Sequence, residues 1–115
     1  MGNAVQAGDV TILPVALTDV DMNELRNLGD EFKAKLGKSV VILASNAGGK
    51  VNLLVMASDD AVAAGIHAGN IVKKIAPMVG GGGGGRPNMA QAGGKDASGI
   101  DAALAAGVEE AKSQL

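Results

Sequence analysis

The sequence predicts an α/β fold in which helices cover a mixed sheet of four or five strands within a single compact domain. Strand-like runs alternate with helical patterns, and the central runs are apolar at nearly every position, which is typical of strands covered on both faces. A chain of 115 residues is long enough for one hydrophobic core and too short for two. We therefore expect residues 1–115 to form one domain.

The first predicted elements are a strand and an amphipathic helix. The run DVTILPVAL is β-branched and apolar, which favours a strand that ends or bends at Pro14. Apolar residues then recur at three- and four-residue spacing over residues 22–36, which predicts a helix. Asp21 is expected to cap its first turn and Gly37 to end it.

A hairpin and two further helices are expected next. The runs KSVVILAS and KVNLLVMAS, joined by NAGG, predict a β-hairpin. The segment DDAVAAG predicts a short helical turn capped by Asp59. The segment AGNIVKKIAPMV predicts a longer helix that ends at Gly80, with Lys73 and Lys74 turned away from its apolar side.

The last two predicted elements are a strand and a helix. The segment PNMAQAG is short and apolar enough to form one more strand. A closing helix is expected from a cap at Asp96 or Ser98 to near Leu115. Its apolar side would carry Ile100, Leu104, Val108 and Ala111.

Composition excludes several kinds of site. The chain has no cysteine, hence no disulfide and no thiol nucleophile. The single histidine, His67, has neither cysteine partners nor a serine or carboxylate motif around it, so we expect a loop or surface residue. Asp59 and Asp60 are expected to serve as helix caps, and we predict neither a metal site nor a cofactor. The single aromatic residue, Phe32, lies in the apolar stripe of the first helix, so a platform that stacks several bases is excluded.

The N-terminal residues show neither the basic start nor the apolar stretch of a secretory signal. No apolar run approaches the ~20 residues of a membrane helix. We therefore expect a cytoplasmic location and no membrane partner.

The charges are segregated along the chain. Residues 1–31 carry one arginine against six acidic side chains, and residues 96–115 carry one lysine against four. Residues 32–95 carry eight basic side chains against two acidic ones, although the whole chain has a net charge of −2. Such segregation favours an anionic partner, with lysines scattered over the surface as the alternative.

Six consecutive glycines, residues 80–85, stand directly before Arg86. A linker is disfavoured because nothing long enough to be a domain follows. No lysine and hydroxyl follow the run as a P-loop requires, and no helix opens there as in a dinucleotide-binding fingerprint. We expect a glycine-rich loop whose backbone N–H groups contact an anion beside the guanidinium of Arg86, with a purely structural loop as the alternative.

The segment VGGGGGGRPNMAQAGGKD resembles the glycine-rich signature in the C-terminal domain of alanyl-tRNA synthetases. The upstream segments MNELRNLGDEFKAKLGKSVVILAS, GKVNLLVMASDD and AGNIVKKIAPMVG are similar to that domain in order and spacing, so the resemblance covers roughly residues 18–104. It implies a domain that docks on the outer elbow of tRNA, where the D and T loops meet, and that supports aminoacylation and editing. The aminoacylation core and the editing domain have no counterpart in the sequence, so we expect no catalytic activity.

The same fold family follows the catalytic domain of DHH phosphoesterases, where a histidine usually comes after the glycines. Arg86 at that position favours the synthetase, and a phosphoesterase substrate-binding domain is the less favoured alternative. Asn88 stands where the synthetase family usually has aspartate. The amide keeps a hydrogen-bond acceptor for a turn and removes a salt bridge to Arg86.

The resemblance implies tRNA contacts at the glycine run, Arg86 and Gln91. Three lysines near the run are included because of their positive charge. The expected tRNA-binding residues are Gly80, Gly81, Gly82, Gly83, Gly84, Gly85, Arg86, Gln91, Lys73, Lys74 and Lys95. The expected partners are the elbow of tRNA(Ala) and the remaining domains of a parent synthetase. The alanine-rich last helix leaves a self-association or intramolecular packing module as the main alternative, and with it a homodimer.

Overall fold

The computed structural model describes residues 4–115, so residues 1–3 of the predicted domain lie outside the description. Helices lie on both faces of a mixed sheet, as the alternating pattern predicts. The strands are β1 (Val5–Ala7), β2 (Val10–Thr18), β3 (Ser39–Ala47), β4 (Lys50–Ala57), β5 (Gly82–Gly85) and β6 (Met89–Gly94). The helices are α1 (Met22–Leu36), α2 (Asp59–Ala63), α3 (Ala68–Ile75) and α4 (Ile100–Gln114).

Within residues 4–115 the sheet has six strands in the order β1-β2-β3-β4-β6-β5, so the expected four or five is wrong. Strands β2 and β3 are parallel, and the other neighbours are antiparallel. The two strands that were not expected, β1 and β5, have no strand-like pattern in the sequence. β1 spans three residues and β5 consists of glycine alone, so pairing with a neighbour, not strand propensity, makes them strands.

The strand β2 runs through Pro14 to Thr18, so of the expected end or bend at Pro14 the end is wrong. β1 pairs with β2 only from Val10 to Ile12. Pro14 therefore lies where β2 is the edge of the sheet among the described residues. The missing N–H of proline interrupts no ladder at an edge position.

Both predicted ends of helix α1 are confirmed. The Asp21 side chain accepts a hydrogen bond from the N–H of Glu24 at 2.9 Å, and Gly37 adopts φ 71° as its N–H donates to the carbonyl of Lys33. The helix buries Leu25 against one face of the sheet, together with Leu43 and Leu54 of the central strands. Phe32 is half-buried against the same cluster, so its expected place in the core is confirmed.

Helices α3 and α4 cover the opposite face. Lys73 and Lys74 are exposed, as predicted, while α3 buries Ile71, Val72 and Ile75. After α3 a 3-10 turn, Ala76–Val79, ends at Gly80 with φ 69°. Ile100, Leu104, Val108 and Ala111 of α4 are all buried, as expected.

The expected Asp59 cap is wrong. Helix α2 is capped by Ser58, because the Ser58 hydroxyl accepts from the N–H of Ala61. The expected Asp96 cap lies one turn ahead of α4. The Asp96 carboxylate accepts from the N–H of Ser98 and caps the 3-10 turn Ala97–Gly99, which leads directly into α4.

The hairpin of β3 and β4 confirms the NAGG prediction. Its loop is Gly48 and Gly49, both with positive φ, as a two-residue turn of this kind requires. Both strands are buried over most of their length, so the central sheet is a rigid support for its edge strands.

Candidate nucleic-acid interface

Most of the glycine run is a strand and not a loop, which corrects the predicted glycine-rich loop over residues 80–85. Residues 82–85 pair with β6 in antiparallel register, with Gly84 opposite Gln91. We call residues 82–94, which comprise β5, the turn and β6, the glycine hairpin. It forms one edge of the sheet, because β5 pairs with β6 alone among the described strands.

The glycines alternate in what surrounds them. A Cβ at Gly83 would lie 2.5 Å from the Cβ of Ala92 and still closer to the carbonyl oxygen of Gln91. A Cβ at Gly85 would lie 2.7 Å from the carbonyl oxygen of Met89, and one at Gly81 would collide with the carbonyl of Gly93. The glycines at 81, 83 and 85 therefore allow close packing of β5 on β6.

Gly82 and Gly84 have no such requirement. A Cβ at Gly82 would meet no atom of the described residues within 4 Å, and one at Gly84 would touch only the stem of Lys73, at 3.6 Å. Gly84 is the direct cross-strand neighbour of Gln91. The Gln91 side chain lies on the α1 side of the sheet, because Ala90 and Ala92 next to it pack into the core on the opposite side. We call the surface formed by Gly82, Gly84 and Gln91 the open face of the glycine hairpin.

Some backbone donors of β5 are directed away from β6. The N–H of Arg86 donates to the carbonyl of Met89 at 2.9 Å, which makes these residues a hydrogen-bonded pair. Because such pairs alternate along an antiparallel ladder, Gly84 also bonds to β6, whereas the N–H groups of Gly83 and Gly85 point outward. We expected glycine N–H groups to be available on a loop. The ladder instead directs those of Gly83 and Gly85 away from β6 within a strand.

The turn of the glycine hairpin occupies the N-terminus of α3. The carbonyl oxygens of Pro87 and Arg86 accept from the N–H groups of Ala68 at 2.8 Å and Gly69 at 3.2 Å. His67 caps the same helix, with Nδ1 accepting from the N–H of Asn70 at 3.1 Å. The first turn of α3 is thus satisfied within the protein and offers no anion site.

His67 and Asn88 both hold structure at this turn. Sequence reasoning missed the cap by His67, since serine, threonine, aspartate and asparagine are the usual caps. The carbonyl of Asn88 accepts from the N–H of Ala57 at 2.9 Å, which ties the turn to β4. The Arg86 side chain is exposed and makes no hydrogen bond within residues 4–115.

No feature of the sequence predicts that Arg26 belongs to the site. Its Nη2 donates to Oε1 of Gln91 at 2.6 Å, across 65 positions of sequence. Helix α1 comes close to the sheet beside it because Gly29 packs directly on the side chain of Met56. Arg26 is the lone basic residue of the acidic first segment, a feature too common to identify a contact.

The three lysines of the predicted site occupy different places. The stem of Lys73 lies beside Gly84, whereas Nζ of Lys74 pairs with Glu110 at 3.3 Å. Lys95 is exposed beyond the end of β6, and its Cγ lies 3.5 Å from the Cβ position of Gly80. The structure thus brings Lys73 to Gly84 from the α3 side of the sheet, whereas Gln91 contacts α1 on the opposite side. Lys95 and Arg86 lie at opposite ends of β6.

Residues 4–115 contain no group of three histidine, cysteine, aspartate or glutamate side chains that could hold a metal ion. Over the same residues, no helix is long and apolar enough to cross a membrane. One carboxyl pKa is shifted by a neighbour. Nζ of Lys38 donates to Asp9 at 2.9 Å, and this hydrogen bond and the lysine charge lower the pKa of Asp9.

Comparison with known protein families gives a match to the DHHA1 domain over residues 9–113. Alanine–tRNA ligase 1 of Lachnoclostridium phytofermentans is 56% identical over the whole chain, which covers 13% of that protein. Alanine–tRNA ligase of Acetivibrio thermocellus is 53% identical over the same 115 residues, again 13% of its length. The chain therefore corresponds to a small part of these relatives.

Solved structures share the fold, as two of them illustrate. The C-Ala domain of Aquifex aeolicus alanyl-tRNA synthetase superposes with a TM-score of 0.82 at 31% identity, covering 98% of this chain and 97% of that one. A DHH domain described as a member of the s1p family of ribosomal proteins gives a TM-score of 0.66 at 18% identity. It covers 97% of this chain and 28% of that one, and it supports the fold alone.

Proposed function

The chain belongs to the DHHA1 domain family, and from this we infer that it is a tRNA-binding C-terminal domain of an alanyl-tRNA synthetase. It is homologous to the C-Ala domain, an appended domain of a ligase, in agreement with the expectation that it is not itself an enzyme. The proposed ligand is the elbow of tRNA(Ala). The proposed role is to support aminoacylation and editing by the other domains of the synthetase.

The open face of the glycine hairpin is the observation that carries this proposal. Gly82 leaves the backbone of β5 uncovered and Gly84 is touched only by the stem of Lys73, although no packing within residues 4–115 requires glycine at either position. Outward N–H groups on the same strand are donors for phosphate or ribose oxygens. A surface of this kind suits recognition of RNA by shape and backbone, which needs no aromatic platform.

Charge around the glycine hairpin supports the same ligand. Lys73 and Arg86 are both exposed, and neither forms a salt bridge within the described part of the chain. Unpaired cations can release counterions from a phosphate backbone, so binding should weaken as salt rises. Lys95 belongs to the proposed site as a more distant contact, and Lys74 as the weakest because Glu110 already neutralises it.

The test compares two RNAs on the same protein. Folded tRNA(Ala) and a minihelix with the same acceptor stem but no elbow are titrated into the 115-residue chain at low salt, with fluorescence anisotropy as the readout. We expect tight binding to tRNA, weak binding to the minihelix, and a steep loss of affinity with added salt. Equal binding to both RNAs would contradict the elbow, and binding no stronger than to an unrelated acidic protein would contradict the function.

Self-association is the second candidate, and β2 favours it. Beyond Ile12 the outer edge of β2 has no neighbouring strand among residues 4–115. Beside it, Pro14, Ala16 and Leu104 line an open depression between β2 and α4. Sedimentation over a range of micromolar concentrations tests this candidate, and a constant monomer would contradict it.

A further inference from the structure

The contact between Arg26 and Gln91 determines which way the Gln91 carboxamide points. An arginine side chain only donates hydrogen bonds, so the atom of Gln91 that lies 2.6 Å from Nη2 must be the carbonyl oxygen. The amino group of Gln91 is therefore directed away from Arg26. No atom of residues 4–115 accepts a hydrogen bond from this amino group, which leaves two donors unused.

We propose that Arg26 is a positioning residue that holds the Gln91 amino group toward the open face of the glycine hairpin, as a donor to a phosphate oxygen of RNA. The proposal rests on the proposed function. Gly84 lies directly opposite Gln91 on β5 and carries no side chain, so a phosphate can approach the amino group over its backbone. The stem of Lys73 contacts Gly84 from the α3 side, so its charge approaches the same edge strand from the opposite face of the sheet.

Arg26 is held in a way that suits this role. Its side chain is half-buried, and its Nε is inaccessible to solvent and lacks a hydrogen-bond partner within residues 4–115. A guanidinium with an unsatisfied buried donor is costly for stability, so its retention needs another reason. The hydrogen bond from a charged group also polarises the carboxamide, which makes the amino group a stronger donor.

The test is a double-mutant cycle on binding of tRNA(Ala). Gln91→Met removes the donors at similar size, and Arg26→Met removes the guanidinium but keeps the aliphatic stem. Each is expected to weaken binding about tenfold, the effect of a hydrogen bond to a charged group. Because Arg26 acts through Gln91, the double variant should be no weaker than Gln91→Met alone. Arg86→Met serves as the matched control, and its effect should multiply with that of Gln91→Met.

Each outcome of the cycle decides the proposal. Multiplying effects of Arg26→Met and Gln91→Met would overturn it, because Arg26 would then contact the RNA itself. Wild-type affinity of Arg26→Met would also overturn it and leave the proposed function intact. Failure of the wild-type protein to bind tRNA would instead overturn the proposed function, and with it the ligand named here.

A readout without RNA checks the positioning itself. In the free protein the two Gln91 side-chain amide protons should have chemical shifts displaced from those of a free glutamine side chain, because the carboxamide is held beside a guanidinium. Arg26→Met should move these shifts to the values of a free glutamine side chain while the backbone spectrum remains folded. Unchanged Gln91 signals in Arg26→Met would show that Arg26 does not hold the carboxamide, and would overturn the proposal.

Discussion

Adding one methyl group at neighbouring glycines of β5 should have opposite effects on stability. At Gly82 a Cβ meets no atom of the described residues within 4 Å, and φ is not in the left-handed region. Gly82→Ala should therefore raise the free energy of unfolding by about 0.4–1 kcal/mol, since alanine has fewer unfolded conformations to lose. At Gly83 the Cβ would lie 2.5 Å from the Cβ of Ala92, so Gly83→Ala should lower it by about 1–3 kcal/mol.

Thermal unfolding followed by circular dichroism measures this difference. For a domain of this size about 1 kcal/mol corresponds to roughly 4 °C, so the two Tm values should differ by at least about 5 °C. The same two proteins are then titrated with tRNA(Ala). Gly82→Ala should bind more weakly although it is more stable, because its methyl group covers the open face of the glycine hairpin.

Two results would refute this reasoning. Equal Tm values for the two variants would show that β5 is not packed on β6 as described. A more stable Gly82→Ala with wild-type affinity for tRNA would show that the open face does not contact the RNA, and would leave Gly82 without a functional reason.

Three further predictions concern charged side chains. Arg86→Ala should weaken tRNA binding and leave Tm within about 2 °C of wild type, because an exposed side chain without a partner adds little stability. A large drop in Tm together with the loss of binding would show that the residue is structural. Lys73→Ala should weaken binding more than Lys74→Ala, since Glu110 pairs with Lys74, and the reverse order in anisotropy titrations would contradict that pairing. The lowered pKa of Asp9 means that its pair with Lys38 stabilises the fold above the ordinary carboxyl pKa and is lost as the pH falls through the folded-state value. Asp9→Asn should therefore flatten the acid side of a plot of Tm against pH, and an unchanged acid slope would contradict it.

Local patterns predicted most of the fold. The ends of α1, the β3–β4 hairpin and the outward direction of Lys73 and Lys74 all follow from spacing within a few residues. The sequence did not predict that β5 is a strand. A run of glycines has no alternation of side chains, and the pairing that makes it a strand comes from β6.

The candidate site was predicted in part. Arg86, Gln91 and Lys73 were expected from the residues around the glycine run and from the resemblance, whereas Arg26 was not. Its contact with Gln91 joins residues 65 positions apart and depends on how α1 crosses the sheet. The separate roles of the glycines were also not predicted, because the residues are identical in the sequence and differ only in their neighbours in the fold.

By itself the sequence determined the α/β class, the apolar faces of α1, α3 and α4, and the segregation of charge around the glycine run. These features follow from hydrophobic periodicity and from the distribution of charged residues, both of which are visible within short stretches of the sequence. Only the tertiary structure decided that most of the run is an edge strand, that Gly82 is uncovered, and that Arg26 contacts Gln91. The physical reason is that close approach and hydrogen-bond direction depend on which segments pack together, and for these residues the partners are distant in sequence.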